Sequence, residues 1–125
     1  MAAYDPDNIF ARILRGEIPC RKVYEDEHAL AFHDIHPQAP THVLIIPKGA
    51  YVSFDDFSRQ ASAAEIVGFT RAVGAVARQL GLAPEGETGG YRLLANTGAN
   101  GGQEVPHFHV HLFGGRPLGR MIAKD

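Results

Sequence analysis

Three histidines, His107, His109 and His111, alternate with Phe108, Val110 and Leu112 near the C-terminal end of the sequence. Side chains alternate across an extended strand, so the imidazoles share one face and the apolar set the other, which is the expected core face. Imidazole is neutral near pH 7, offers a nucleophilic lone pair on one nitrogen, and is held in one tautomer by a hydrogen bond at the other. A row of such rings supplies a nucleophile, donors that neutralise developing negative charge, and an acid for a leaving group. Those are the needs of phosphoryl or nucleotidyl transfer. Metal binding is the competing chemistry, because His-x-His pairs aim two nitrogens at one ion. At about 3.3 Å per residue the outer Cα atoms lie about 13 Å apart, too far for one ion to take all three. Two of them with His42 could still serve. A third reading is plain: polar rings on a solvent-facing strand.

The elements that must position this row are legible in outline. Asp7 and Asn8 can cap a short helix carrying Ile9, Phe10, Ile13 and Leu14, which Gly16 ends; Met1 to Pro6 reads as a frayed tail. Val23 to Glu25 and Leu30 to His33 read as a hairpin around Asp26-Glu27-His28, and Pro37 and Pro40 break the chain after it. His42 to Pro47 is apolar without alternation, as in a central strand covered on both faces. Ser62-Ala63-Ala64-Glu65 fits a capping box for one long helix, with Ile66, Phe69, Val73, Val76 and Leu80 on its apolar stripe and Gly81 at its end. Gly68, Ala72 and Ala75 form a stripe of small residues beside it, suited to close approach either within the chain or to a second subunit. Tyr91 to Asn96 reads as a strand and Gly98 to Gly102 as a glycine-rich turn whose N–H groups can face a phosphate. The order predicts an α+β domain with a five-stranded, mainly antiparallel sheet and one long and one short helix. A free sheet edge makes homodimerisation a physical expectation.

Composition narrows the function classes. The 125 residues suit one domain, 1–125, and with 45% apolar and 21% charged residues it can bury a core. A net charge of -2 argues against a non-specific nucleic-acid binder. No apolar run approaches a membrane span and no signal-type segment opens the chain, so a cytoplasmic protein without membrane contact is expected. Cys20 is the sole cysteine, which excludes an intrachain disulfide and a Cys-rich zinc site. No P-loop motif and no dinucleotide-binding glycine motif is present.

His107-Phe108-His109-Val110-His111-Leu112-Phe113 resembles the His-φ-His-φ-His-φ-φ signature of the histidine triad (HIT) superfamily, φ being apolar. Asn8-Ile9-Phe10, Gly16-Glu17-Ile18-Pro19, Ala31-Phe32-His33-Asp34-Ile35, Pro37-Gln38-Ala39-Pro40-Thr41-His42, Ile46-Pro47-Lys48, Gly101-Gly102-Gln103 and Leu112-Phe113-Gly114-Gly115-Arg116 are similar to its Hint branch of nucleotide-binding proteins. The resemblance covers nearly the whole chain. It implies a HIT-like fold, joined across a homodimer into a ten-stranded sheet, and hydrolysis of the P–N bond of purine nucleoside 5'-phosphoramidates such as adenosine 5'-phosphoramidate or lysyl-AMP. His109 would attack the α-phosphorus, His111 would serve the phosphate and leaving-group side, and His107 and His42 would orient the nucleophile and relay protons. Asp34 would hold the ribose hydroxyls, as a carboxylate acceptor suits; the lesser alternative is a turn-forming Asp before Pro37. Ile9, Phe10, Ile13, His33, Ile35 and Leu44 would line the base pocket, and Asn96, Gly102, Gln103, Glu104 and Val105 the phosphate end. The bound partner would be AMP, GMP or their phosphoramidates, with no cofactor and no metal.

Three features depart from the animal-type pattern. Glu104 stands where those relatives carry a phosphate-contacting Ser, so only its backbone N–H suits a phosphate. Pro106 replaces an aromatic residue and removes a backbone donor before the first histidine. The segment Arg116 to Asp125, expected near the site, also differs, and selectivity for the leaving group is expected to diverge there. Two functional alternatives stay open: a Fhit-like dinucleoside polyphosphate hydrolase, and a nucleotide-responsive interaction module with incidental hydrolysis.

Overall fold

The computed structural model describes residues 3–85 and 89–124. Its elements run α1 (Ile9–Leu14), β1 (Lys22–Glu25), β2 (Ala29–His33), β3 (Thr41–Pro47), α2 (Phe54–Gln60), α3 (Ala63–Gln79), β4 (Tyr91–Leu94), α4 (Gly98–Gly101) and β5 (Val110–Gly114). The strands form one five-stranded antiparallel sheet in the order β1-β2-β3-β5-β4, the α+β arrangement expected from the sequence. Among the described residues, no helix is long and apolar enough to cross a membrane.

Local chemistry sets the boundaries. The Asn8 side chain accepts the Ala11 N–H and starts α1, and Gly16, at φ +78, lets the chain leave it. One Asp26 carboxylate oxygen accepts the N–H groups of His28 and Ala29 and builds the turn between β1 and β2. The Ser62–Glu65 capping box opens α3.

Alternation along the strands sorts side chains onto two faces. Ala29, Ala31, Val43, Ile45, Phe108 and Leu112 pack under α2 and α3, against Phe57, Phe69, Val73 and Val76. Leu30, Phe32, Leu44 and Ile46 face the other way and pack with Phe10 of α1. Both faces of β3 are therefore covered, which is why its sequence shows no alternation. Two of the three small residues serve packing inside the chain: a Cβ at Gly68 would lie 2.1 Å from the His28 ring, and Ala72 is in the core, while Ala75 is half-buried.

The structure corrects the outline in three places. Two helices join the expected long and short ones. In α2, Ser53 accepts the Asp56 N–H and Phe57 is buried; seven residues carry too little periodicity to stand out. In α4 the glycine-rich segment closes a single turn, with the N–H groups of Gly102 and Gln103 donating to Ala99 and Gly98. The strand expected to reach Asn96 ends at Leu94. Pairing in β5 starts only at Val110, because the Phe108 N–H goes to the Tyr51 carbonyl and the His107 carbonyl is taken by the His109 ring. The histidines nonetheless keep to one face.

Candidate active site

The site forms on the α1 face, where β5 lies between β3 and β4. In the β3–β5 register Leu44 pairs with His111 and His42 with Phe113. In the β4–β5 register Leu94 pairs with His111, and Asn96 lies two residues beyond the end of β4.

The tautomers below follow from hydrogen-bond partners. His107 is fully buried, and its Nε2 lies 2.9 Å from the Pro47 carbonyl. A carbonyl can only accept, so Nε2 carries the hydrogen. Burial, with a smaller contribution from His109, pushes the His107 pKa down to about 4, so the ring is neutral and Nδ1 is bare. Tyr4 donates its hydroxyl to that Nδ1 at 2.7 Å. The residue belongs to the segment expected to fray, of which Met1 and Ala2 lie outside the described residues.

His109 donates Nδ1–H to the His107 carbonyl at 2.7 Å, which leaves the Nε2 lone pair free. Burial lowers its pKa; Asp34 and Glu104 pull the other way without overcoming it. The Phe10 ring stands edge-on to His109, with centroids 5.0 Å apart, and helps seal it from water.

His42 and His111 form a pair, with Nε2 of the first 2.9 Å from Nδ1 of the second. The Gln38 N–H donates to His42 Nδ1, so His42 carries its hydrogen on Nε2 and donates it to His111. His111 in turn carries its hydrogen on Nε2 as an available donor. Burial and two imidazole neighbours push His111 down to about 4, and burial likewise lowers His42. Phe113 covers the pair, 4.2 Å from the His42 ring and parallel to that of His111.

Asp34 closes this end. One carboxylate oxygen accepts the His36 N–H and the other lies 3.4 Å from His42 Nε2. Asp34, His42 and His111 thus present ligand-type atoms within 4.8 Å of one another. The backbone contact at His42 Nδ1 makes Nε2 a donor, whereas a metal needs a bare nitrogen there. The cluster as built is a chain of proton donors and acceptors.

The remaining expected residues are placed unevenly. Phe10, Leu44 and Ile13 join one apolar cluster beside the triad, and Val105 packs against it. His33 is half-buried at the end of β2, Ile9 is partly open, and Ile35 is 82% exposed. Gln103 is spent on its own loop: its Nε2 donates to the Val52 and Val105 carbonyls and its Oε1 accepts the Gly98 N–H. Glu104 is exposed. The C-terminal segment is tied back by Arg92, which donates to the Gly119 and Arg120 carbonyls, and by Arg116 to the Gln38 carbonyl. Tyr4, the Gln38 N–H, the Pro47 carbonyl and Phe113 were not singled out from sequence. Phe113 was findable, lying two residues beyond His111 on the same face; the others carry no local signal.

A large apolar groove of about 540 Å³ lies on the opposite, α3 face, between Phe54, Phe69, Val73, Tyr91 and Leu93, with Val110 in its wall. It holds no titratable chemistry apart from the Tyr91 phenol, so the reactive groups and this apolar groove are on different faces.

The comparisons agree with this geometry. The HIT domain pattern matches residues 15–118. An uncharacterized HIT-like protein of Azospirillum brasilense is 66% identical over 121 residues, 97% of this chain and 96% of its own length. The purine nucleoside phosphoramidase of Escherichia coli K12 is 48% identical over 118 residues, 94% of each chain. The structure of a HIT family hydrolase from Clostridium thermocellum superposes with a TM-score of 0.81 at 38% identity, covering 94% of this chain and 97% of that one. A histidine triad protein from Clostridium difficile also gives 0.81, at 36% identity, covering 98% and 100%. With its triad held on one face of a five-stranded antiparallel sheet, the chain belongs to the HIT family of hydrolases.

Proposed function

We propose that the protein hydrolyses the P–N bond of purine nucleoside 5'-phosphoramidates, and also acts on aminoacyl adenylates such as lysyl-AMP, through a nucleotidyl-histidine. The observation that carries this reading is the bare Nε2 of His109, fixed by the His107 carbonyl, beside an available N–H on His111. The similarity to a relative named purine nucleoside phosphoramidase supports the same choice. His109 Nε2 attacks the α-phosphorus as the P–N bond breaks, and the leaving nitrogen takes a proton from a water that accepts the Nε2–H of His111. The hydroxide so formed balances the positive charge of the nucleotidylated His109 ring, and His42 keeps His111 in its Nε2–H tautomer throughout. That hydroxide then attacks phosphorus and frees His109 with its Nε2 bare.

In this reading Asp34 takes the ribose hydroxyls and Ile9, Phe10, Ile13, His33, Ile35 and Leu44 take the purine. Asn96, Gly102, Glu104 and Val105 serve the phosphate end, where Gln103 keeps the loop in shape. The chemistry requires no metal or other cofactor. The protein acts as a homodimer in the cytoplasm. Edge strand β4, with Tyr91 and Leu93 exposed beside the apolar groove, is the surface a second copy would cover to make a ten-stranded sheet.

The test is turnover of an adenosine 5'-phosphoramidate bearing a fluorescent amine, beside diadenosine triphosphate, with a chelator present. Chelator-resistant amine release with little attack on the dinucleotide is expected. Preference for the dinucleotide would point to a polyphosphate hydrolase, and turnover of neither by folded protein would overturn the enzymatic reading. Light scattering that reports a monomer would overturn the dimer.

A further inference from the structure

We propose that Tyr4 is a positioning residue: its hydroxyl holds the buried His107 ring in one tautomer and thereby keeps the His107 carbonyl where it orients His109. The kinetic part of the proposal rests on the phosphoramidase reading; the structural part does not.

Tyr4 reaches His107 Nδ1 at 2.7 Å and stands edge-on to the ring at 5.6 Å between centroids. The contact spans a sequence separation of 103 residues. The other ring nitrogen is spent on Pro47, so the two bonds together specify which nitrogen carries the hydrogen. Among the described residues, no buried side-chain nitrogen or oxygen lacks a partner, and at His107 Nδ1 that partner is Tyr4. The segment is anchored: the Asp5 carbonyl accepts from the N–H and Nδ2 of Asn8, and Arg15 donates to the Pro6 carbonyl.

Removing the hydroxyl leaves a neutral, buried ring with a bare acceptor. The ring can keep its Pro47 bond and tolerate that, or move its hydrogen to Nδ1 and lose the Pro47 bond. Either response disturbs the residue whose carbonyl holds the nucleophile's Nδ1–H. Tyr4 touches no substrate in this account and acts only through His107.

The experiment is Tyr4→Phe in the full chain, read by nitrogen NMR of the histidine rings, thermal melting, and kcat and KM for the fluorescent phosphoramidate. In the wild type His107 is expected as a single Nε2–H tautomer. In Tyr4→Phe its Nδ1 resonance should shift or split, and kcat should fall about fivefold, the size of one net hydrogen bond, with KM little changed. A lower melting temperature with unchanged His107 resonances and unchanged kcat would show a merely structural contact and overturn the proposal. Should the wild type fail to cleave the phosphoramidate, the functional reading falls, while the ring resonances still decide whether Tyr4 sets the tautomer. Deleting residues 1 to 4 must reproduce the Tyr4→Phe resonances; wild-type resonances in the deletion would also overturn it.

Discussion

The buried, neutral His107 makes the stability of this protein depend on acid in a calculable way. A histidine in an unfolded chain titrates near 6.5, whereas burial holds His107 at about 4 in the fold. As pH falls below 6.5 the unfolded state takes up the proton first, so stability present above pH 6.5 is lost down to pH 4 and then levels off. The full difference is worth about 3 kcal/mol, of which about 2 kcal/mol is gone by pH 5. The other site histidines slope the same way, so a comparison is needed to isolate this one. Urea unfolding followed by circular dichroism at pH 7.5 and pH 5, on wild type and His107→Phe, supplies it. The variant should be less stable at pH 7.5, having lost its bonds to Tyr4 and Pro47, yet lose about 2 kcal/mol less on acidification. Equal losses in the two proteins would refute the claim that His107 is buried in its neutral form.

Three further outcomes are expected. Asp34→Asn should raise the dissociation constant for AMP about tenfold, measured by calorimetry, because an amide accepts less strongly from the ribose hydroxyls than a carboxylate. Gln103→Leu removes three contacts that tie the phosphate-end loop to Val52, Gly98 and Val105, and should raise KM for the phosphoramidate more than it lowers kcat. Val110→Asp should cost about 1–3 kcal/mol in urea unfolding, since the side chain is half-buried against the α3-face core beside the apolar groove. An unchanged midpoint would show that strand β5 faces the other way.

Much of the molecule was legible in the sequence because its signals are local. The Ser62 capping box marked the start of α3, the unbroken apolar run of β3 marked a strand covered on both faces, and alternation through Phe108, Val110 and Leu112 assigned the core face of β5. Helix α2 was missed because one buried residue, Phe57, in seven leaves no periodic trace. Pairing at His107 and Phe108 was overestimated because periodicity reports where side chains point and is silent about the partner of a backbone N–H. Here Tyr51 and the His109 ring took those partners.

By itself the sequence determined that three imidazoles share one strand face, that the strand is backed by a core, and that the family resemblance runs through the chain. These depend on spacing along one segment. Only the tertiary structure decided which nitrogen of each ring is free. Most of those choices are made by groups far away in sequence, namely Tyr4 and Pro47 at His107 and His42 at His111, while at His42 the choice falls to the Gln38 N–H four residues earlier, brought back by the turn. A tautomer is set by whichever donor or acceptor lies within hydrogen-bond reach, and that is a matter of position in space, with no counterpart in the order of residues.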